Sequence, residues 1–380
     1  AAETYRSDHN LNAAAIGDLN GDGFDDVASV RYDPEANLGY LDIRFSEADG
    51  VLGGPTTYPA PHHVNDLVLA DLNDDGRLDI VAVGEDYGGG QLFGEVWVYR
   101  NSDSTPGDLS GNGLVRIYGK PQAVTVTDVD GDGYGDIVTA NEGGGRHNFD
   151  GAGYNFDGFG YGGMTVLKND GAGYFEPSSA TEDAGQRRTY DYELLASLMP
   201  NDIASADLNG DGYGDVAVAG DSRSVQVYGG GYGAELGLYH EADRWFQGSP
   251  DDINAIALAD LDNDGDMDTI AVHPWGGPGG YFLNVVWGQS STSFDDGGNS
   301  AYRTGPQADE AMDVQMGDFN DDGSVDAAVV TKYYNTDTGL DEYQVRVLYN
   351  DGAGYTNGLD LLWEDGGSFG VGYGAERLAI

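Results

Sequence analysis

The sequence predicts an all-β fold, a β-propeller of four-stranded antiparallel blades, because one unit of three parts recurs along the chain. An Asp-rich loop occurs six times, short apolar stretches stand on both sides of each copy, and an alternating segment follows. Apolar runs bounded by turn residues, such as 67–70 and 80–83, are typical of buried strands. Alternating segments such as 95–99 and 345–349 predict a third strand with one face in solvent. A fourth, weaker strand completes each predicted blade.

Each loop follows the pattern Asp-x-Asp/Asn-x-Asp-Gly-x-x-Asp, whose nine positions are numbered 1 to 9 below. Loops 1 to 6 begin at Asp18, Asp71, Asp128, Asp207, Asp260 and Asp318. Their starts are 53, 57, 79, 53 and 58 residues apart, and the interval that closes the circle through both chain ends is 80. This series predicts a duplicated three-blade unit. We therefore expect a single domain over residues 1–380 with pseudo-two-fold symmetry, its halves covering roughly 1–190 and 191–380.

The spacing favours six blades, because neither long interval has room for a further blade of ~55 residues. Seven blades are the alternative, since the C-terminal segment 376–380 resembles the strand that precedes an Asp-rich loop. A linear solenoid would show shorter periods and distinct capping repeats, which favours the closed ring.

The loops have the ligand chemistry of a calcium site. Calcium takes six to eight hard oxygen ligands, and side-chain oxygens at positions 1, 3 and 5 of a tight loop converge on one point. Gly at position 6 permits the turn, position 7 can offer its backbone carbonyl, and Asp at position 9 closes the site. An EF-hand needs Glu at position 12, where these loops have Ser29, Ala82, Thr139, Val218, Ala271 and Val329.

We therefore predict about six Ca²⁺ ions as cofactors. The predicted ligands, at positions 1, 3, 5, 7 and 9, are Asp18, Asn20, Asp22, Phe24, Asp26, Asp71, Asn73, Asp75, Arg77, Asp79, Asp128, Asp130, Asp132, Tyr134, Asp136, Asp207, Asn209, Asp211, Tyr213, Asp215, Asp260, Asp262, Asp264, Asp266, Asp268, Asp318, Asn320, Asp322, Ser324 and Asp326. An acidic turn without metal is the alternative, but crowded carboxylates are costly without a cation. Loops 3 and 5 have Asp instead of Asn at position 3, which predicts tighter binding there.

The charge of the chain limits its partners. The net charge is −49, from 66 acidic and 17 basic residues, and such a surface repels nucleic acid and anionic lipid. We expect no nucleic-acid partner and no membrane insertion. Cysteine is absent, which excludes disulfides and thiolate chemistry. Calcium sites of this kind stay filled where the free ion is near millimolar, so we expect a secreted or cell-surface location.

Residues 206–218, Ala-Asp-Leu-Asn-Gly-Asp-Gly-Tyr-Gly-Asp-Val-Ala-Val, resemble the repeat core of the FG-GAP/VCBS family, whose best-known members are the integrin α-subunit propellers. The resemblance covers nearly the whole chain. It implies a propeller whose calcium ions lie between the first two strands of each blade and stabilise the fold. It leaves the function open, because the family includes adhesion receptors, lectins and domains of polysaccharide lyases.

The face opposite the Asp-rich loops is where we expect a ligand, because the other strand connections collect there. Aromatic residues on Gly-rich loops beside Asp, Asn and Arg are typical of carbohydrate sites, where rings stack on sugars and polar groups bind hydroxyls. The alternative is that these aromatics only cap the propeller. The candidate ligand-binding residues are Arg146, His147, Phe149, Tyr154, Phe156, Tyr161, His273, Trp275, Tyr281, Tyr333 and Tyr334.

These features favour a calcium-stabilised extracellular binding or adhesion module, recognising carbohydrate or a protein partner, over an enzyme, and no catalytic residue is assigned. A polysaccharide lyase is the first alternative, because such enzymes use His or Tyr to abstract a proton beside a uronate that Arg neutralises. Its candidate residues are His62, His63, His147, His273, Arg146 and Arg187. A structural surface scaffold without a small ligand is the second alternative.

Overall fold

The computed structural model describes all six Asp-rich loops and the strands around them. The described residues are 11–46, 51–86, 93–101, 107–109, 111–117, 119–142, 162–175, 189–193, 199–221, 224–231, 239–245, 252–273, 283–288, 299–302, 310–335, 340–350 and 364–371. They form 24 strands and no helix. Accordingly, this part of the chain contains no helix that is long and apolar enough to cross a membrane.

The chain divides into two compact units, the first mainly Ala1–Pro200 and the second mainly Asn201–Leu378. Each unit contains three four-stranded antiparallel sheets, here called blades, in which neighbouring strands follow chain order. The prediction of an all-β fold built from four-stranded antiparallel blades is thereby confirmed. The single domain with halves of 1–190 and 191–380, and the choice between six and seven blades, stay predictions. Segment 376–380, on which the seventh blade depends, lies outside the described residues.

The first unit contains blades 1 to 3. Blade 1 consists of β1 (Leu11–Gly17), β2 (Asp26–Asp33), β3 (Leu38–Arg44) and β4 (Thr56–Ala60). Blade 2 consists of β5 (His63–Ala70), β6 (Asp79–Asp86), β7 (Phe93–Arg100) and β8 (Gly111–Ile117). Blade 3 consists of β9 (Lys120–Thr127), β10 (Asp136–Glu142), β11 (Gly163–Leu167) and β12 (Thr189–Glu193).

The second unit contains blades 4 to 6. Blade 4 consists of β13 (Pro200–Ala206), β14 (Asp215–Gly220), β15 (Ser224–Gly229) and β16 (Tyr239–Trp245). Blade 5 consists of β17 (Ala255–Ala259), β18 (Asp268–Val272), β19 (Leu283–Val286) and β20 (Asn299–Tyr302). Blade 6 consists of β21 (Glu310–Gly317), β22 (Asp326–Asn335), β23 (Leu340–Tyr349) and β24 (Glu364–Val371).

The second strand of blade 2, β6, lies between two cores, as its continuous apolar run predicts. In β6, Ile80, Val81 and Val83 are all 0% exposed. Successive side chains point to opposite faces, so Ile80 packs with Val30 of blade 1 while Val81 and Val83 pack with Ile137 of blade 3. Burying an aliphatic side chain contributes about 1.5–3 kcal/mol. Apolar packing on both faces therefore joins successive blades within the unit.

The prediction that the third strand has one face in solvent is wrong for β3, β7 and β15. The polar residues of the alternation in these strands are Asp42, Glu95 and Gln226, which are only 9%, 3% and 2% exposed. Each has a partner within its blade, because buried polar groups require hydrogen bonds. Arg31 Nε donates to Asp42 Oδ2 at 2.6 Å, Trp97 Nε1 to Glu95 Oε2 at 3.0 Å, and Tyr228 Oη to Gln226 Oε1 at 2.7 Å. Alternation in these three strands therefore marks buried polar pairs.

In four of the six blades, an Asn six residues before the Asp-rich loop links neighbouring blades. It lies in the first strand or directly before it. Its Nδ2 atom donates to a backbone carbonyl of the following blade at 2.5–2.9 Å, in the pairs Asn12–Val64, Asn65–Pro121, Asn201–Ile253 and Asn254–Ala311. The third blade of each unit has Gln122 or Met312 at this position instead. The residue pattern thus recurs after three blades, in agreement with the spacing of the loops.

A second Asn, at the end of the third strand, links two neighbouring loops. Nδ2 of Asn169 donates to Leu72 O in loop 2 at 2.7 Å and to Gly135 O in loop 3 at 2.9 Å. Asn101 and Asn350 make the corresponding pairs of bonds in their blades. All three residues are at most 3% exposed. Because a buried carbonyl without a donor costs about 1–3 kcal/mol, these amides hold adjacent loops in a fixed arrangement.

We expect Asn169→Ala to lower the free energy of unfolding by about 2–4 kcal/mol, because two buried carbonyls lose their donor. Ser46→Ala is the matched control, with an expected change of at most about 0.5 kcal/mol. Ser46 has the same place in blade 1, and its backbone N–H donates to Asp26 as that of Asn169 donates to Asp136. Urea unfolding measures both variants. Equal losses in the two variants would contradict the linking role of the amide.

Candidate metal centre

Each Asp-rich loop passes twice through the left-handed backbone region. Position 6 is Gly in all six loops, with φ between 82° and 96°. Position 4 is left-handed as well, and it is Gly21, Asp74, Gly131, Gly210, Asn263 or Asp321. Gly, Asn and Asp are the residue types that adopt this region at low cost. The two turns direct consecutive backbone N–H groups toward the carboxylates of the loop.

The carboxylate at position 1 organises the loop. In loop 5, Asp260 accepts the backbone N–H of Asp264 on Oδ1 at 3.1 Å and that of Gly265 on Oδ2 at 2.9 Å. The same pair of bonds occurs in all six loops, at 3.0–3.2 Å to position 5 and 2.7–2.9 Å to position 6. The carboxylate at position 5 accepts the N–H of position 7 at 2.8–3.1 Å. Charge-assisted hydrogen bonds of this kind form the loop from its own atoms.

The Asp at position 9 is 0–1% exposed in every loop. Its Oδ2 accepts the backbone N–H of position 2 at 2.8–3.4 Å. Its Oδ1 accepts the N–H of the residue at the end of the third strand at 2.7–2.9 Å. Each oxygen has a second lone pair, so the carboxylate can also contribute to a cation. Position 9 therefore connects the loop to the sheet whether or not a metal is bound.

Burial raises the pKa of the position-9 carboxyls in loops 1 to 5. It raises the pKa of Asp79 and Asp215 to about 6, and that of Asp136 and Asp268 to about 7. The backbone N–H bonds oppose this rise in pKa, and the other carboxylates of the same loop add to it. Burial and like charges both disfavour ionisation here, and a bound cation offsets both.

The six loops differ in the group that faces the carboxylate at position 5. Where position 3 is Asn, in loops 1, 2, 4 and 6, its Nδ2 donates to Oδ2 of position 5 at 2.8–3.1 Å. Loop 2 adds Arg77, whose Nη2 lies 2.6 Å from Asp75 Oδ2. In loop 3 the ammonium of Lys168 contacts Asp130 and Asp132. In the described part of the chain, loop 5 has no amide or basic side chain at this place.

Loops 3 and 5 each bring three carboxylates together. One oxygen from each of Asp260, Asp262 and Asp268 lies within 4.8 Å of the other two, and the triad Asp128, Asp130 and Asp136 has the same spacing. In loop 5, burial raises the pKa of Asp262, and the nearby Asp264 carboxylate raises it further. Hard oxygen donors at this spacing fit a divalent cation such as Ca²⁺. The residues of these two loops could therefore hold a metal ion.

All predicted metal residues lie in described loops, and the carboxylates of positions 1, 3 and 9 converge in loops 3 and 5. For position 7 the structure defines the N–H bond to position 5, and ligation by its carbonyl stays a prediction. Sequence reasoning missed Lys168, which lies far from loop 3 in the chain. Two signals could have indicated it: lysine occurs only three times in the sequence, and Lys168 directly precedes the turn that begins at Asn169.

Most predicted ligand residues lie outside the described residues, namely Arg146, His147, Phe149, Tyr154, Phe156, Tyr161, Trp275 and Tyr281, as does Arg187. Tyr333 and Tyr334 belong to β22, near its end farthest from loop 6. His273 is 0% exposed, its Nδ1 lies 3.0 Å from Asp252 O, and burial lowers the pKa of the ring. This interior position favours a packing role for His273 over contact with a ligand at the surface.

A cluster of polar and aromatic side chains lies at the ends of blades 1 and 2 opposite the Asp-rich loops. We call it the polar end cluster, and its members are Tyr32, His62, His63, Asp86 and Arg116. The rings of Tyr32 and His63 stack with centroids 4.5 Å apart. His62 Nδ1 and Arg116 Nη2 each lie 3.5 Å from one oxygen of Asp86. The Arg116 side chain is 54% exposed, so the cluster presents aromatic, acidic and basic groups to solvent.

Comparison with known protein families matches the Asp-rich repeats. The profile of the FG-GAP-like repeat matches residues 18–82, 71–139 and 207–271, and the profile of the FG-GAP repeat matches residues 121–159. Together these matches cover more than half of the chain. A search of curated proteins gave no significant match.

Solved structures with similarity to the chain include two polycomb assemblies. One is a humanized mutant of the Chaetomium thermophilum Polycomb Repressive Complex 2 bound to the inhibitor GSK126, with 10% identity and a TM-score of 0.41 over 79% of this chain and 52% of that chain. The other is an active polycomb repressive complex 2 in the basal state, with 10% identity and a TM-score of 0.42 over 78% of this chain and 50% of that chain. The chain thus spans about half the length of the chains it matches.

We expect Asp262→Asn to stabilise the metal-free protein and to weaken metal binding at loop 5. In loop 6 the Asn320 amide donates to Asp322 Oδ2 at 2.8 Å, and the same exchange in loop 5 replaces a like-charge contact with Asp264 by a hydrogen bond. In chelator the melting temperature should rise by a few degrees, corresponding to about 1 kcal/mol. Calcium titration by calorimetry should show one weakened site.

Glu35→Gln is the control for this substitution, because it removes one negative charge from an exposed turn away from all loops. It should leave both the melting temperature in chelator and the calcium titration unchanged. If Asp262→Asn melts below the wild type in chelator, carboxylate repulsion in loop 5 is not a destabilising factor.

Proposed function

We propose that this chain, which belongs to the FG-GAP repeat family, is a calcium-stabilised extracellular binding or adhesion module. The observation that carries the proposal is loop 5, where the carboxylates of Asp260, Asp262 and Asp268 converge. No amide or basic side chain of the described residues offsets this charge. Calcium is the cation of choice because the donors are all oxygens and the loop offers several at flexible spacing, whereas Mg²⁺ requires a near-ideal octahedron.

The proposed ions act on stability rather than on chemistry. Each loop is joined to its own sheet through the buried carboxylate at position 9, and loops 1 and 2, 2 and 3, and 5 and 6 are joined by Asn amides. A cation that holds one loop therefore also supports the neighbouring blade. A metal that binds only the native state, at a free concentration 100 times its Kd, contributes about 2.7 kcal/mol per site to the free energy of unfolding.

We further propose that the ligand is a carbohydrate or a protein, bound at the ends opposite the loops. The polar end cluster supports this proposal, because a stacked aromatic pair beside exposed Arg116 combines groups that contact sugar rings and hydroxyls. FG-GAP repeats are typical of extracellular proteins, which supports a secreted or cell-surface location. Near-millimolar calcium outside cells would keep such sites filled.

Calcium removal should lower the melting temperature of the protein by at least several degrees, since each filled site contributes about 2–3 kcal/mol at saturating calcium. Differential scanning calorimetry in chelator and in millimolar calcium measures the shift. Magnesium at the same concentration should restore much less of the stability, because the ion is too small for these loops. An unchanged melting temperature in chelator would rule out calcium as a stabilising cofactor.

Ligand binding is tested on a glycan array together with an absorbance assay for unsaturated uronate products. We expect binding without product, weakened about tenfold or more by Tyr32→Ala combined with Arg116→Ala, or by Phe149→Ala combined with Phe156→Ala. Tyr174→Ala is the control, because Tyr174 is 53% exposed and lies on the side of the loops. Formation of unsaturated product would support the lyase instead. Absence of both signals in calcium-loaded protein would support the scaffold.

A further inference from the structure

Lys168 places a positive charge inside loop 3. It follows β11, and its ammonium contacts Asp130 and lies 3.2 Å from Oδ2 of Asp132. These two carboxylates are at positions 3 and 5, where the proposed calcium ion would need its ligands. The other two lysines, Lys120 and Lys332, pair with glutamates in first and second strands instead, at 3.7 Å and 3.4 Å. Lys168 is thus the one lysine of the chain that faces an Asp-rich loop.

Loops 3 and 5 form a natural pair for comparison. Both have Asp at positions 1, 3, 5 and 9, and in both the oxygens of positions 1, 3 and 9 lie within 4.8 Å of one another. The residue that corresponds to Lys168 in blade 5 is Trp287, which likewise precedes the residue whose N–H donates to position 9. The two loops therefore have the same acidic residues at positions 1, 3, 5 and 9. They differ in the internal cation of loop 3 and in position 7, which is Tyr134 in loop 3 and Asp266 in loop 5.

Blade 2 also has a basic residue at this position. It is Arg100, and its guanidinium carbon lies 3.6 Å from the centre of the Tyr174 ring, in a cation–π contact. Loop 2 has Asn73 at position 3, whose amide already donates to Asp75. In loop 3, Asp130 replaces that amide by a second carboxylate, and Lys168 supplies the missing donor.

We propose that Lys168 is the resident cation of loop 3, so that Ca²⁺ binds there only by displacing its ammonium. This proposal rests on calcium binding by the other loops, as proposed above. A lysine ammonium carries one charge and three donors, which serve the carboxylates of positions 3 and 5. Loop 3 consequently keeps its conformation in the absence of calcium and has the lower affinity of the pair. For loop 3, the proposal revises the expectation that loops 3 and 5 both bind calcium more tightly than the other four loops.

The place of Lys168 in the chain gives its cationic role in loop 3 a structural consequence. The next residue, Asn169, donates its backbone N–H to Asp136 and its amide to loops 2 and 3. Lys168 therefore offsets part of the negative charge of loop 3, and Asn169 links loop 3 to loop 2. The contact between blades 2 and 3 at this end is then independent of calcium, whereas loop 5 depends on the ion.

Lys168→Met tests the proposal, because it keeps the length of the side chain and removes its charge. Lys120→Met is the matched control, since it removes the same charge from a pair with Glu142 away from the loops. Calcium bound per chain is measured by equilibrium dialysis over a series of free calcium concentrations. In Lys168→Met we expect one site to gain affinity about tenfold or more, and Asp130→Asn in the same chain should reverse the gain.

Thermal unfolding gives a second readout that does not depend on counting ions. In chelator, Lys168→Met should melt below Lys120→Met, because loop 3 has lost the ammonium that offsets its carboxylates, and calcium should remove the difference. If calcium binds the wild type but Lys168→Met and Lys120→Met behave alike in both measurements, the role of Lys168 is overturned while the proposed function stands. If none of the proteins binds calcium at millimolar concentration, the proposed function itself fails.

Discussion

A buried carboxylate at the start of the second strand joins three parts of every blade. The first residue of β2, β6, β10, β14, β18 and β22 is the Asp at position 9, and its two oxygens accept N–H groups from the loop and from the end of the third strand. An ionised group without partners in this environment would cost several kcal/mol. Both N–H groups must therefore stay in place, which fixes the loop against the first three strands. The identical bonds in all six blades explain why the six copies of the loop share Asp at positions 1, 5 and 9 and Gly at position 6.

That carboxylate also creates a charge problem, because up to four acidic residues surround it. The chain offsets the charge in two ways, with an Asn amide at position 3 in four loops and a basic side chain in loops 2 and 3. Among the described residues, loop 5 has neither. Asn in place of Asp removes one like charge, whereas Lys168 adds an opposite charge. We therefore expect dependence on an external cation to differ from loop to loop and to be greatest in loop 5.

The loops and the buried second strands could be predicted from the sequence, because both are encoded by neighbouring residues. The burial of the polar face of the third strand could not be predicted. Gln226 alternates with Val225 and Val227 in the same way whether it faces solvent or a buried partner. The contact of Lys168 with Asp130 depends on the pairing of β10 with β11 across a long connection. No local pattern reports that pairing. The candidate ligand residues of 146–161 were chosen by residue type alone, and their prediction rests on that chemistry.

The hydrogen bonds of the loops also bear on where a ligand can bind. In each loop the carboxylates at positions 1, 5 and 9 are already engaged by backbone N–H groups, so their remaining lone pairs suffice for a cation but leave little for a second partner. Recognition of a sugar or protein requires exposed groups such as Arg116 at the opposite ends of the strands. In blade 2, β6 runs from loop 2 to Asp86 of the polar end cluster. A cation bound at loop 2 can therefore affect the cluster only through the rigidity of β6. Calcium would then control the presence of the ligand site through folding, without taking part in recognition.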